Sequence, residues 1–187
     1  VLIRPARPQD ASVAALLIRN AIDDIAYSLT GMSDEQDVLT QLAAWFRLEG
    51  NRLSYQNALI AEWARQIAGL ILLYHGSDAQ DLDYPIIAWL RDYKQDPTIT
   101  IDVEADADDF YIDTLSVFSH YAGNGIGRAL IAAAELRCKE LGYHKLALNV
   151  DTANERAYRL YQHLGFQTDK TILINGHPYH HQVKYLL

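Results

Sequence analysis

Gly123-Asn124-Gly125-Ile126-Gly127-Arg128-Ala129-Leu130 is the stretch on which the fold of this chain turns. Three closely spaced glycines stand directly before an Ala-rich helical segment that runs to near Leu141, where Gly142 stops it. The first turn of a helix carries amides without intrahelical partners and the positive end of the helix dipole. Glycines keep side chains out of the way there, so a phosphate can approach the main chain. The bland alternative is a glycine-rich turn that binds nothing. Two other phosphate-binding patterns fit less well. A dinucleotide fold would place Asp151 near the position of its ribose-binding acid, but its third glycine would have to stand at Arg128. The strand before the loop is also spotted with Tyr111, Asp113, Thr114 and Ser116, where that fold wants a short apolar run. A P-loop is excluded because no Gly-Lys-Ser/Thr follows the glycines.

On the N-terminal side of the loop a strand is expected over Phe110 to Phe118; beyond its helix the next strand is Lys145 to Val150. Thr152-Ala153-Asn154-Glu155 has capping-box spacing and opens a helix with Ala157, Leu160, Tyr161 and Leu164 on one face, closed by Gly165. Two last strands flank Asn175-Gly176, which suits a type I′ turn because both central residues need positive φ. Earlier in the chain, Leu2-Ile3-Arg4 suits a short strand. Asp10 is placed to cap a helix carrying Val13, Leu17, Ala21 and Ile25 as far as Gly31. Ser33-Asp34-Glu35-Gln36 is a second capping-box signal, before Val38, Leu42, Trp45 and Phe46. Arg52 to Trp63 and Gln66 to Tyr74 read as an antiparallel hairpin. From His75 to Asp109 the pattern weakens to loop, with one short helix at Pro85 to Leu90; so long a connection often shapes a binding site.

The length of 187 residues fits one domain, residues 1–187, of mixed α/β (α+β) class. No apolar run approaches the ~20 residues of a membrane-spanning helix, and Val1 to Pro5 lacks a signal-peptide core, so the expected location is the cytoplasm, with no membrane partner. A formal charge of −8 disfavours nucleic acid as a partner and is compatible with an amine. Cys138 stands alone and cannot make an internal disulfide; its place late in an Ala-rich helix suits a small buried side chain better than a nucleophile. His177, His180 and His181 do not make a convincing metal site. Pro178 interrupts them, no Cys joins them, and adjacent residues on a strand face opposite ways.

Residues from about Phe110 to Phe166 together resemble the central motifs of the GNAT N-acetyltransferases. The resemblance rests on Tyr111-Ile112-Asp113-Thr114-Leu115-Ser116-Val117, then the glycine loop, then Leu146-Ala147-Leu148-Asn149-Val150, and then Asn154, Ala157, Leu160-Tyr161 and Leu164-Gly165-Phe166. It implies a mostly antiparallel central sheet flanked by helices, whose two central strands splay apart to admit the pantetheine arm of acetyl-CoA. Carried over, the backbone of Leu115, Ser116 and Val117 would hold that arm and face the thioester. Gly123, Asn124, Gly125, Ile126, Gly127 and Arg128 would hold the pyrophosphate, and Asn154 would position the arm. Ala122 departs from the pattern, since the family usually has Gln or Arg there, so one side-chain phosphate contact is missing.

The implied reaction is direct attack of an amine, from a small molecule or a peptide, on the acetyl group, with no covalent acyl-enzyme and no metal. It needs a proton acceptor for the amine, an oxyanion donor (the amide near Val117) and an acid for the departing sulfur. Tyr161 matches the family's acid near the sulfur; without that context it reads as a core tyrosine. Asp113 shares a nominal strand face with Leu115 and Val117 and could take the amine proton or bind a cationic acceptor. It could equally be a solvent-facing acid if a bulge reversed its facing. A second reading keeps the same fold as a CoA-binding module without turnover. A homodimer is compatible with either.

Overall fold

The computed structural model describes residues 1–187. Its strands are β1 (Leu2–Pro5), β2 (Ala58–Trp63), β3 (Gln66–His75), β4 (Phe110–Val117), β5 (Lys145–Asp151), β6 (Gln167–Ile174) and β7 (His177–Tyr185). They form one seven-stranded sheet in the order β1-β2-β3-β4-β5-β7-β6, in which only β4 and β5 run parallel. The helices are α1 (Ala11–Ile22), α2 (Ile25–Thr30), α3 (Glu35–Arg47), α4 (Ala79–Lys94), α5 (Ile126–Glu140) and α6 (Glu155–His163).

The alternation of side chains along the central strands feeds two cores, one on each face of the sheet. Ile60, Leu70 and Leu72 pack with Leu17, Ile18, Leu42 and Phe46 from α1 and α3. Ile71, Leu73, Phe110 and Ile112 pack on the other face with Leu130, Ile131, Ala134 and Cys138 from α5. Cys138 is thus a buried core residue, and burial pushes its thiol up to about 11. No helix is long and apolar enough to cross a membrane.

The helix expected from Asp10 to Gly31 is two. Asp23 adopts φ 43° and ψ −124°, which breaks α1 from α2, and Gly31 ends α2 in the left-handed region at φ 68°. Asp10 precedes α1 without capping it, because its carboxylate is taken by Arg4 and by the Arg7 amide. Asp34 takes the capping role expected of Ser33, accepting from the Gln36 and Asp37 amides. Arg52 and Leu53 form a turn and Tyr55–Asn57 a short 3-10 helix, so the strand expected from Arg52 begins only at Ala58. The short helix expected at Pro85 to Leu90 is sixteen residues long, α4, with Pro85 inside it. Burial of Ile86 and Leu90, and the edge-on contact of Trp89 with Trp45 at 5.5 Å, hold that helix despite the missing proline donor. The Asn175-Gly176 turn has φ of 49° and 77°, as a type I′ hairpin requires.

Candidate functional site

The site starts at the end of the β4–β5 pairing. Phe110, Tyr111 and Ile112 pair with Leu146, Ala147 and Leu148, and there the ladder stops. On its other edge β4 stays paired with β3, but the register jumps: Ile112 faces Leu73 while Thr114 faces Leu72, leaving Asp113 as the extra residue of a bulge. A bulge bends its strand and adds twist, which turns the rest of β4 away from β5. Because β5 remains paired with β7 as far as Asp151, the gap opens between β4 and β5 alone. The Phe118 amide donates to the Ala68 carbonyl at 3.0 Å. Antiparallel alternation then directs the peptides of Ser116 and Thr114 toward β3 and those of Val117 and Leu115 into the gap.

The bulge also corrects the facing expected of Asp113. Leu115 and Val117 share the α5 face with Ile112. Asp113 instead lies on the opposite face, where its carboxylate accepts from Arg52 Nε at 3.0 Å, Tyr74 Oη at 2.9 Å and Thr114 Oγ1 at 2.9 Å.

The glycine loop lies beyond the end of β4. Gly123 and Gly125 have φ of +83° and +75°, which a Cβ-bearing residue rarely adopts, and a Cβ built on either would meet nothing within 4 Å. Glycine is therefore required by backbone conformation, while the surface above the loop is open. The amides from Gly123 to Arg128 donate to no protein acceptor, and α5 has no side-chain cap. This row of donors sits at the positive end of a fifteen-residue helix. Ile126 contributes only its backbone, since its side chain is in the core. Asn124 folds its side chain back onto the Tyr121 carbonyl at 3.0 Å. Arg128 is exposed and makes no ion pair. Bare amides, two glycines that admit close approach and a free guanidinium fit a pyrophosphate.

Across the gap, Asn154 caps α6 through Oδ1, which accepts from the Ala157 amide at 3.1 Å. Thr152, expected to open this helix, does not cap it. The Asn154 side-chain nitrogen is left without a protein acceptor. Tyr161, one turn beyond Ala157, packs edge-on to Phe166 with centroids 5.7 Å apart, and its hydroxyl has no protein partner. Burial pushes that hydroxyl up to about 12, so it is a proton donor near neutral pH. Tyr161, Asn154, Leu115 and Val150 line a cleft of about 710 Å³ that runs along the gap, with His177 at its wall.

A second cavity of about 190 Å³ joins the cleft, sharing Ala21, Ile22, Asp113, Asn149 and Tyr179 with it. Its floor is a buried charge cluster around Arg52. Arg52 bonds Asp113 through Nε and Nη2, lies 3.3 Å from Asp83 through Nη1 and 3.1 Å from Glu104 through Nη2. One cation thus faces three carboxylates. Burial raises the Glu104 carboxyl above its ordinary value and lifts Asp83 to about 6. Tyr111 Oη donates to Glu104 at 3.0 Å, and Asn149 Nδ2 donates to Tyr111 Oη at 2.9 Å. His181 Nδ1 lies 2.9 Å from Asn149 Oδ1, so that histidine braces the floor from below. His180 lies beside Tyr158 instead. Asp106, Asp109 and His181 converge within 4.8 Å. Lys145 lies 2.9 Å from Asp109 and Lys170 lies 2.6 Å from Asp106, so ammonium groups already serve those carboxylates.

Residues 20–166 match the model of the acetyltransferase (GNAT) family. The chain belongs to the GNAT family. An N-acetyltransferase structure from Staphylococcus aureus Mu50 is 30% identical with a TM-score of 0.84, covering 98% of this chain and 100% of that one. The mycothiol acetyltransferase of Propionibacterium freudenreichii subsp. shermanii is 40% identical over 57 residues, 30% of this chain but only 18% of that longer protein. The fold is also that of a PaiA N-acetyltransferase from Thermoplasma acidophilum in complex with coenzyme A, at 18% identity, TM-score 0.61 and 98% coverage of each chain.

Within this GNAT fold the structure brings Leu115, Asn154 and Tyr161 around one cleft, with Val117 further along β4 and the amides of Gly123 to Arg128 beyond its end. Ser116 is apart from them, its side chain buried and its peptide turned to β3. Sequence reasoning passed over Arg52, Glu104, Asp83, Tyr74 and Asn149. Arg52 and Asp113 are 61 positions apart, and no local pattern announces such a pair. The one signal in the sequence is that the stretch from Asp78 to Asp109 holds many acids against only Arg91 and Lys94 as bases, and Asp83 and Glu104 come from it.

Proposed function

We propose that this GNAT chain transfers the acetyl group of acetyl-CoA to a primary amine by direct attack in a ternary complex. The observation that carries the proposal is the alignment of the unpaired α5 amides, the β4–β5 gap and an acidic cavity at the gap's far side. Acetyl-CoA supplies an activated thioester, and the chain supplies position and protons. The amides of Ile126, Gly127 and Arg128 bind the pyrophosphate. The Leu115 and Val117 peptides hold the pantetheine arm as a substitute strand, and the Val117 amide donates to the developing oxyanion. Tyr161 Oη gives its proton to the departing sulfur.

Asp113 is poorly suited to act as the base, because Arg52, Tyr74 and Thr114 already use its oxygens. Glu104 is better suited. Its carboxyl is raised by burial, and it accepts one tyrosine and one guanidinium bond, both through Oε2, which leaves Oε1 without a donor. It takes one proton of the incoming ammonium; the nitrogen lone pair then forms the C–N bond as the C–S bond breaks, and once Tyr161 has protonated the departing sulfur the nitrogen's remaining surplus proton passes to the tyrosinate and restores it. Asp113 holds Arg52 and keeps the wall electronegative. The cavity beside the gap favours turnover over a CoA-binding module, which would need no such space.

Thiol release from acetyl-CoA across a panel of primary amines tests the proposal. Glu104→Gln is expected to lower kcat/KM by about 100-fold or more, in the range of general-base effects. It is also expected to abolish the rise of kcat/KM with pH above the ordinary carboxylate range. A pH profile with that limb intact in Glu104→Gln would remove Glu104 from the reaction.

A further inference from the structure

The small cavity constrains the acceptor more narrowly than the family does. Its upper walls are apolar, formed by Ile22 and Ile25 from the α1–α2 region, by Leu53, by Leu90 of α4, and by Ile99 and Ile101 of the segment after α4. Its charged lining groups are Arg52, Glu104, Asp113 and Asp102, and Ser28, Thr100, Asn149 and Asn175 add neutral polar groups between the apolar side chains. Asp102 is itself committed, accepting from the Asn175 amide at 2.7 Å. That bond ties the β6–β7 turn to the segment after α4 where both line the cavity.

We propose that the acceptor is a compact monoamine, with a single ammonium group that meets Glu104 and an apolar body, of about one ring, that lies against the Ile and Leu side chains of the cavity. This inference rests on the acetyl-transfer reading of the same site. Three observations set the class. The first is size. An apolar cavity of ~150 Å³ is known to take a benzene ring, and this one measures about 190 Å³, which leaves room for a short arm carrying nitrogen. The second is the state of Arg52. Three carboxylates occupy its guanidinium, so it has no face to offer a substrate carboxylate. An amino acid would bring its own carboxylate against Glu104 and Asp113, where like charges repel at low dielectric. The third is the chemistry of the walls. A polyamine would bury a second ammonium with no free carboxylate to meet it, since Asp113 is taken by Arg52 and Tyr74 and Asp102 already accepts from the Asn175 amide. A peptide would have to run its continuing chain out through the cleft that the cofactor arm is proposed to occupy.

The test uses protein saturated with CoA itself, in which no acetyl transfer occurs, so that amine binding is read apart from chemistry. Titration calorimetry would compare 2-phenylethylamine with phenylalanine, spermidine and a Phe-Ala-Ala peptide. Phenylalanine is the sharpest control, since it is the same body with a carboxylate added. The expectation is that 2-phenylethylamine binds at least about tenfold more tightly than each of the others, a difference of ~1.4 kcal/mol. Ile101→Trp, which fills the cavity, should cost the amine at least about tenfold in affinity while leaving CoA binding unchanged. Ile99→Trp serves the same purpose should the first variant fail to bind CoA.

Equal or tighter binding of phenylalanine, spermidine or the peptide would overturn the inference, as would no binding by any amine. Amine affinity unchanged in a CoA-competent filled variant would do so as well. The two readings fail separately. Amines that bind in the expected order while acetyl-CoA never yields free thiol would sink acetyl transfer and leave the cavity's specificity standing. Thiol release with spermidine instead of 2-phenylethylamine would sink the specificity alone.

Discussion

Ile112 and Leu148 are the last residues through which β4 and β5 pair, and the next residue of β4, Asp113, is the bulge that parts them. That bulge is held by contacts outside the sheet's own ladder, from Arg52 and from Tyr74 Oη. The residue inserted where β4 leaves β5 therefore also anchors the buried charge cluster around Arg52. On the proposed function, the cofactor gap and the acceptor cavity follow from one local irregularity.

Gly125→Asp should remove measurable CoA binding while the protein stays folded. The carboxylate would stand among the amides assigned to phosphate. The left-handed φ of +75° should add a stability cost of only ~1 kcal/mol, because Asp tolerates that region better than most residues. Calorimetric titration of CoA with a thermal melt checks both. Retained affinity would show that the phosphates lie elsewhere.

Tyr161→Phe keeps the contact with Phe166 and loses only the hydroxyl, which has no protein partner. Turnover should fall by ~10²-fold or more, in the range of general-acid effects, with CoA affinity and melting temperature nearly unchanged. Unchanged turnover would leave Tyr161 as a packing residue. An equal loss of CoA affinity would make it a cofactor contact instead.

Asp83→Asn should change how stability depends on pH. Burial holds the Asp83 carboxyl at about 6, against 3.8 ordinarily. The folded state therefore binds more protons than the unfolded state between those values, and this residue's contribution to stability falls as pH rises through that window. The full effect is on the order of 3 kcal/mol. Arg52 would keep Glu104 and Asp113 as counter-charges in the variant. Urea midpoints at pH 4 and pH 7 should show the variant gaining on the native protein at the higher pH. Parallel behaviour at both would mean that Asp83 is not held protonated by burial.

The parts of the fold legible in the sequence are those governed by local rules. The glycines before α5, the Asn175-Gly176 turn and the apolar periodicity of α3, α5 and α6 each depend on a few neighbouring residues, and each stands where expected. What was not legible depends on contacts between distant segments. The extent of α4 was hidden because Pro85 and the acids around it argue locally against a helix; buried Ile86 and Leu90 outweigh them. The facing of Asp113 was hidden for a different reason. A single inserted residue reverses strand parity, and nothing in Asp113-Thr114-Leu115 marks where the insertion falls. Arg52 looked like the start of a strand, and only the fold reveals its three acidic partners.

Amide hydrogen exchange, read residue by residue with and without acetyl-CoA, tests the central claim most directly. Strong slowing is expected at Leu115, Val117, Ile126, Gly127 and Arg128, whose amides would find acceptors in the cofactor, with no change at Ser116, paired with Leu70 of β3. Exchange at those five amides that is indifferent to acetyl-CoA would contradict it.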